Sequence, residues 1–283
     1  MRIDAALNWA VNVLAGGDSP SIDAKVLLAH TLNTSLTYLF TWPEKMVPDA
    51  SLAQFKSLVA QRKEGLPVAY LTGQKDFWTL TLNTSPHTLI PRPDTEVLVE
   101  QVLACIASEY ASKTLTICDL GTGTGAIALA LAVELPQHSV RGVDFLDEAV
   151  CLATENAKAN NITNVSFTKS DWFEGLVNEK FNVIVSNPPY IEASSSYLHE
   201  GDVKFEPRTA LTSGADGLDD IRKIIAYAPD FLHAGGLLAF EHGFNQAEAV
   251  HALLVKRGFV RVRSHKDFGG NDRVTLGFWE TCD

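Results

Sequence analysis

From residue 114 onward, short apolar segments typical of strands alternate with longer amphipathic segments typical of helices. The predicted strands are TLTICDL, VRGVD, VSFTKSD, FNVIVSN and GGLLAFEH, and the predicted helices are GAIALALAVEL, DEAVCLATENAKANN, GLDDIRKIIAYAPDFL and NQAEAVHALLVKRG. This alternation predicts an α/β fold in which helices cover both faces of a mostly parallel sheet. The last two predicted strands, FVRVRS and RVTLGFW, are expected to form an antiparallel hairpin at the edge of that sheet.

The first 94 residues have a different pattern. Residues 1–75 predict a small helical bundle without a constellation of catalytic side chains. The segments FWTLTLN and HTLI predict a β-hairpin linker over residues 76–94, with its turn at residues 83–86. Asp94 is the predicted N-cap of the helix that opens the α/β domain, residues 95–283. The bundle is equally consistent with a role in stability and with docking of a partner.

Composition narrows the range of partners. The net charge is −11, from 34 acidic and 23 basic residues, whereas proteins that grip nucleic-acid backbones usually present a basic face. We therefore expect no direct nucleic-acid partner. No apolar run is long enough for a membrane span, and the N-terminus lacks a signal-peptide pattern, which predicts a cytoplasmic protein. We expect a monomer.

Cysteine and histidine positions argue against a metal site. The four cysteines are scattered, at positions 105, 118, 151 and 282, and the histidines lack ligand spacing. This pattern predicts neither a disulfide framework nor a bound metal. Cys105, Cys118 and Cys151 stand in apolar surroundings and are predicted to pack in the core.

Three glycines, Gly121, Gly123 and Gly125, stand between a predicted strand and its helix. Glycine permits a tight turn and a close approach of the backbone to a ligand. The next strand ends at Asp144, where a carboxylate would accept hydrogen bonds from ribose hydroxyls. The pattern predicts binding of a nucleotide-like ligand. Its identity stays open, because Gly121, Gly123 and Ala126 also fit the dinucleotide fingerprint of NAD enzymes.

Asp119 precedes the first glycine by two positions. The order Asp-x-Gly-x-Gly-x-Gly resembles the loop that binds S-adenosylmethionine (AdoMet) in class I methyltransferases. By the same resemblance, Asp171 and Trp172, at the end of the third strand, would flank the adenine ring. Trp172 offers a face on which that ring could stack.

The fourth strand ends in Asn187-Pro188-Pro189-Tyr190. Asn187 offers a carbonyl acceptor, and the Pro188 carbonyl is a second one, held by the extended geometry that Pro189 imposes. Tyr190 supplies a flat face. Two acceptors and a ring suit a planar –NH2 group, which is a poor nucleophile because its lone pair is delocalised. The motif therefore predicts amino or amide methylation through positioning and electrostatic stabilisation, without a strong general base.

These motifs together resemble the HemK/PrmC family, the release-factor glutamine methyltransferases. Further similarity lies in SPSIDAKVLLAH, PVAYLTGQKDFW, LIPRPDTE, EPRTALTSGADGLDDIRKII and NDRV, so the resemblance covers nearly the whole chain. It implies a Rossmann-like AdoMet-dependent domain and methylation of the glutamine amide in the Gly-Gly-Gln loop of class 1 release factors 1 and 2. The release factor would be the protein partner, and the N-terminal bundle would help to dock it.

The resemblance also implies roles for individual residues. AdoMet would contact Asp119, Gly121, Thr122, Gly123, Thr124, Gly125, Asp144, Asp171, Trp172 and Asn187. The glutamine would be held by Asn187, Pro188, Pro189 and Tyr190, of which Asn187, Pro188 and Tyr190 form the catalytic group.

Other functions share parts of this pattern. A DNA or RNA adenine N6-methyltransferase would use the same Asn-Pro-Pro-Tyr logic on a flipped base, but it should carry a basic target-recognition region. An NAD(P)-dependent oxidoreductase would leave residues 187–190 unexplained. A non-catalytic module would bind AdoMet without turnover.

Overall fold

The computed structural model describes residues 1–110 and 113–280. The chain divides into two compact units. The first contains Met1–Gln74 and the short segment His199–Phe205, and the second contains the rest of the described chain. The sequence pattern predicts that residues 199–205 belong to the α/β domain, so their packing in the first unit is a difference from that prediction. The boundaries proposed for a separate linker, residues 76–94, stay a prediction.

The first unit is helical. Its helices are α1 (Ile3–Val13), α2 (Pro20–Leu32), α3 (Leu36–Thr41), α4 (Asp49–Lys63) and α5 (Val68–Thr72). Their apolar faces meet in a core that includes the fully buried Leu27, Leu28 and Phe55. Arg62 on α4 joins α2 and the segment 199–205 to the bundle, because it pairs with Asp23 at 2.7 Å and with Asp202 at 2.6 Å.

The second unit is built on a seven-stranded sheet. The helices of this unit are α6 (Glu96–Glu109), α7 (Ala126–Glu134), α8 (Asp147–Ala159), α9 (Asp219–Phe231) and α10 (Ala247–Arg257). The strands are β1 (Gln74–Phe77) and β2 (Leu80–Asn83), which pair with each other, and then β3 (Thr116–Leu120), β4 (Ser139–Asp144), β5 (Val165–Lys169), β6 (Phe181–Ser186), β7 (Leu232–Glu241), β8 (Val260–Lys266) and β9 (Asp272–Trp279).

The order of strands in the large sheet is β5-β4-β3-β6-β7-β9-β8. The first five are parallel, and β9 runs antiparallel to both β7 and β8. One apolar core lies against α6 and α7, and a second lies against α9 and α10 on the other face. The predicted α/β fold, with its antiparallel hairpin at one edge, is confirmed.

Two local predictions are wrong. The hairpin turns at Trp78 and Thr79 rather than at residues 83–86. Trp78 takes a left-handed φ of +58° there, and its backbone N–H donates to Glu96 at 2.8 Å. Asp94 is not an N-cap, because Pro93 opens a 3-10 turn, Pro93–Thr95, that takes Asp94 inside it; α6 begins only at Glu96.

Cysteine placement also differs in part from the prediction. Cys105 and Cys118 are buried as expected, whereas Cys151 lies exposed on α8. Cys282 lies outside the described residues. Within residues 1–110 and 113–280 no group of three or more His, Cys, Asp or Glu side chains is arranged to hold a metal ion. No helix in this part of the chain is long and apolar enough to cross a membrane.

Candidate functional site

The carboxyl ends of β3, β4, β5 and β6 lie along one edge of the sheet, and a cavity opens there. Ligands of doubly wound sheets bind at this edge. The lining includes predicted site residues from all four strand ends: Gly121, Thr122, Gly123, Thr124, Asp144, Trp172, Asn187 and Pro189. The structure therefore brings together residues that are up to 68 positions apart in sequence.

The glycine loop is held against β4. The backbone N–H groups of Gly121 and Thr122 both donate to the carbonyl of Val143 at 2.9 Å. Gly121 has a φ of +72°, and a Cβ at this position would lie 3.3 Å from the Trp172 ring. A side chain here would therefore strain the backbone and crowd the cavity wall. Gly125 does not line the cavity; it sits at the N-terminus of α7.

Asp119 supports this loop from behind and does not line the cavity. Its side chain is fully buried. Its Oδ2 accepts hydrogen bonds from the Thr122 hydroxyl at 2.7 Å and from the Ala128 N–H at 3.2 Å. Within the described chain its Oδ1 has no hydrogen-bond partner. Burial raises the pKa of this carboxyl to about 7, despite the opposing effect of those two hydrogen bonds.

This carboxyl should make stability depend on pH. The folded state holds the Asp119 proton more tightly than the unfolded chain does, so stability falls as pH rises from about 4 to about 7. We expect the unfolding free energy of the wild type to drop by about 2 to 3 kcal/mol, relative to Asp119→Asn, between about pH 5 and about pH 8. Urea unfolding of both proteins at several pH values measures this difference. A constant difference would contradict the raised pKa.

Asp144, at the end of β4, also binds the glycine loop. Its Oδ2 accepts from the Gly123 N–H at 3.0 Å, and its Oδ1 accepts from the Leu146 N–H at 3.1 Å. Burial raises the pKa of the carboxyl above its ordinary value, against the lowering effect of these backbone donors. Each oxygen keeps lone-pair capacity for a further donor, and the residue lines the cavity.

Trp172 and Asp171 follow the end of β5 but face different surroundings. Trp172 lines the cavity, with a left-handed φ of +50° that turns its ring toward Gly121. Asp171 lies outside the cavity lining and pairs with Lys223 at 2.9 Å, with both side chains largely exposed. The structure thus places Trp172, but not Asp171, where a ligand in the cavity could contact it.

The Asn-Pro-Pro-Tyr segment follows β6 directly. The Asn187 Nδ2 donates to the Thr95 hydroxyl at 3.3 Å, and no partner engages Asn187 Oδ1 within residues 1–110 and 113–280. Pro189 lines the cavity with Asn187, whereas Pro188 is buried and Tyr190 is half-buried beside the lining. The Tyr190 hydroxyl donates to Glu241 Oε1 at 3.2 Å. The segment therefore offers an oriented amide oxygen at the cavity wall.

Several residues that support the cavity were not predicted. Glu206 is buried and accepts from the Ile90 N–H at 3.1 Å and from the Arg92 guanidinium. Asn156, fully buried on α8, bonds to both backbone groups of Asn83 and to the Thr124 carbonyl. Arg92 stands in the motif LIPRPDTE and Glu206 in EPRTALTSGADGLDDIRKII, whereas Asn156 stands in the predicted helix DEAVCLATENAKANN. Nothing in these local patterns tells which distant backbone groups the side chains bind.

Two family models match the chain. The model for the PrmC N-terminal domain matches residues 5–73, and the model for the methyltransferase small domain matches residues 94–200. Together they cover both the helical unit and the glycine loop with its neighbouring strands.

Two relatives match nearly the whole chain, and one solved structure has a similar fold. Release factor glutamine methyltransferase of Pseudomonas aeruginosa is 51% identical over 93% of this chain and 94% of its own length. The same enzyme of Aliivibrio fischeri is 48% identical over 99% of this chain and 98% of its own. A Thermus thermophilus 16S rRNA N2 G1207 methyltransferase, solved with AdoMet and guanosine, is only 20% identical but has a similar fold, with a TM-score of 0.56 over 73% of this chain and 50% of that one. The chain belongs to the release factor glutamine methyltransferase family.

Proposed function

We propose that this protein transfers a methyl group from AdoMet to the side-chain amide of the glutamine in the Gly-Gly-Gln motif of class 1 release factors. The observation that carries the proposal is the position of Asn187, whose amide oxygen meets the cavity beside the glycine loop while its nitrogen is held by Thr95. Near-full-length identity of about half to release factor glutamine methyltransferases supports the choice of substrate.

The residues of the cavity fit AdoMet. The space around Gly123 is open, because a Cβ placed on this glycine would have Thr88 Cβ as its nearest neighbour, at 3.9 Å, so a ligand can approach the backbone. The Asp144 carboxylate suits the ribose hydroxyls, and the Trp172 ring suits the adenine. When bound there, AdoMet supplies an electrophilic methyl group on a sulfonium centre.

The protein's own residues would then position and polarise the glutamine. The Asn187 Oδ1 and the Pro188 carbonyl accept the two N–H bonds of the amide, and the Tyr190 ring packs against its plane. Acceptors on both hydrogens favour electron density on the nitrogen as positive charge develops there. Holding the nitrogen in line with the methyl group removes most of the entropic cost of the encounter. As the nitrogen takes the methyl group, the bond from that group to sulfur would break and S-adenosylhomocysteine would leave as a neutral thioether. The methylated nitrogen would then give one proton to water, so no basic side chain is needed before transfer.

A protein substrate is favoured over a nucleic acid. An adenine amino group presents the same two N–H bonds, but the relatives are release factor glutamine methyltransferases and the net charge of this chain is −11. We propose that the helical unit helps to dock the release factor. Because release factors act where proteins are synthesised, we place the enzyme in the cytoplasm, and we propose that it acts as a monomer.

Methyl incorporation from labelled AdoMet tests the proposal. Three substrates are offered to the purified enzyme: intact release factor, the same factor with its Gly-Gly-Gln glutamine changed to alanine, and unmethylated DNA. Label on the intact factor alone is the expected result. Label on the alanine variant would show that another residue of the factor is methylated. Label on DNA would show that the substrate is a nucleic acid.

Removal of the Asp144 carboxylate should weaken cofactor binding. Asp144→Ala deletes the acceptor proposed for the ribose and also frees the Gly123 N–H. A charged hydrogen bond is worth about 1.5 to 3 kcal/mol, so we expect the dissociation constant for AdoMet to rise about 10- to 100-fold. Asp147→Ala removes the same charge three residues later from an exposed side chain outside the cavity lining, and it serves as the control. Equal constants for the two variants in calorimetry would contradict this role of Asp144.

A further inference from the structure

A cluster of buried and half-buried polar side chains lies next to the Asn-Pro-Pro-Tyr segment and includes two of its residues. Its members are Thr95, Asn187, Tyr190, Glu241 and Arg273. Thr95 is 4% exposed and Glu241 only 1%. The cluster joins Thr95 of the motif LIPRPDTE and Arg273 of the motif NDRV to the end of β6.

Glu241 is the acceptor at the centre of this cluster. The Tyr190 hydroxyl donates to its Oε1 at 3.2 Å. The Thr95 hydroxyl lies close enough to the same carboxylate to lower its pKa. Burial raises the pKa of the Glu241 carboxyl, whereas the Thr95 hydroxyl, the charge of Arg273 and the Tyr190 hydroxyl lower it. Its Oε2 has no partner at ordinary hydrogen-bond geometry within the described chain. A buried acceptor of this kind stabilises any arrangement that points hydroxyl protons toward it.

The direction of the Thr95 hydroxyl decides how the neighbouring amide is oriented. A hydroxyl has one proton to donate. When Thr95 gives that proton to Glu241, its oxygen is left as an acceptor for Asn187. The 3.3 Å contact must then be made by the Asn187 NH2 group, and the Asn187 oxygen is turned to the cavity. The two ends of an asparagine amide have nearly the same shape, so packing alone does not select between them.

We propose that Glu241 is a positioning residue for methyl transfer: through Thr95 it fixes the flip of the Asn187 amide, and through its own oxygen it fixes the Tyr190 hydroxyl. This inference rests on the proposed function, because only a substrate that donates two N–H bonds requires an oxygen at that position. With the amide reversed, the Asn187 NH2 group would meet the substrate NH2 group, and two donors would face each other.

Arg273 balances the buried carboxylate without pairing with it directly. Its guanidinium donates to Asp267 at 3.0 and 3.1 Å and lies 3.8 Å from Asp94. Its backbone position on β9 follows from the register, in which Glu241 is opposite Val274. Arg273 is thus held by other acids, so Glu241 Oε1 accepts from Tyr190 and the carboxylate stays available to the Thr95 hydroxyl.

Substitutions at two positions test the inference. In Glu241→Gln the new NH2 group can donate to Thr95, which turns the Thr95 proton toward Asn187 and reverses its amide. We expect kcat for the release factor to fall about 30-fold or more, with the dissociation constant for AdoMet unchanged within about twofold. Thr95→Val breaks the same link and should have the same effect. Thr95→Ser keeps the hydroxyl and should restore kcat to within about threefold of the wild type.

The double variant separates orientation from general destabilisation. If Glu241 and Thr95 act through one link, Thr95→Val with Glu241→Gln should have the kcat of Thr95→Val alone within about threefold, whereas independent losses would multiply. Assays run well below the lowest unfolding temperature of the set. If Glu241→Gln does not fold, the difference in kcat between Thr95→Val and Thr95→Ser still tests whether the Thr95 hydroxyl orients Asn187.

The outcomes distinguish this inference from the proposed function. Absence of transfer to the release factor by the wild type would defeat the proposed function itself. An active wild type with an equally active Glu241→Gln, or with Thr95→Val and Thr95→Ser alike, would defeat the role of Glu241 and leave the proposed function in place.

Discussion

Asn187→Ala should lower kcat for the release factor by about 100-fold or more while the dissociation constant for AdoMet changes by less than about threefold. The variant loses the oxygen that accepts from the substrate amide, together with the Nδ2 contact to Thr95, whereas the glycine loop, Asp144 and Trp172 keep their contacts. Removal of one preorganised polar group from a reacting centre typically costs this much. Single-turnover transfer of labelled methyl and calorimetric titration with AdoMet give the two quantities.

Asn182→Ala is the matched control for this variant. Asn182 lies on the same strand, β6, at the end far from the cavity, where its Oδ1 accepts from the Thr116 N–H at 2.9 Å. Its loss should cost about 1 kcal/mol of unfolding free energy and leave kcat intact. If Asn187→Ala retained wild-type turnover, the acceptor mechanism would be wrong.

Gly217→Ala should be among the most damaging single substitutions in the chain. Gly217 has a φ of +74°, and a Cβ there would lie 2.1 Å from the Tyr190 carbonyl oxygen. That oxygen also accepts from Gln246 Nε2 at 3.0 Å, so the backbone of Tyr190 is clamped from two sides. We expect a loss of about 3 kcal/mol or more in unfolding free energy, together with most of the methyl transfer, because Tyr190 must move.

Gly235→Ala separates the clash from the backbone conformation. Gly235 has nearly the same φ, +76°, but nothing lies within 4 Å of a Cβ placed there. Gly235→Ala should lower the unfolding free energy by only about 1 kcal/mol, which is the penalty for a side chain in the left-handed region. Urea unfolding and turnover of the two variants test the comparison. Equal losses of unfolding free energy in the two variants would mean that the backbone around Tyr190 can shift at little cost.

Local patterns were sufficient to predict the sheet and the position of the cavity. The alternation of strands and helices, the three glycines after β3 and the prolines after β6 each act through backbone geometry within a few residues. Because parallel strands end at one edge, their order along the chain already predicts that Asp144, Trp172 and Asn187 lie close together.

Contacts between distant side chains could not be predicted in this way. The family resemblance implies that Asp119 contacts the cofactor, but inside the fold its carboxylate accepts hydrogen bonds from Thr122 and Ala128. The hairpin turn was misplaced because Asn83 is paired with Asn156, 73 positions away, and so stays in the strand. Glu241 ends an apolar strand like many other residues; only its neighbours in space point to a role for it.

The place of β9 in the sheet has a consequence for the order in which the site can assemble during synthesis. β9 lies between β7 and β8 and pairs with both, although it is the last of these strands to leave the ribosome. Val274 on β9 is the partner of Glu241, and the charge of the neighbouring Arg273 lowers the pKa of the same carboxylate. A nascent chain can form the glycine loop and β3 to β6 early, but the support behind Asn187 waits for residues 272–279. Ligand binding and catalytic competence would therefore be acquired at different times in the life of one molecule.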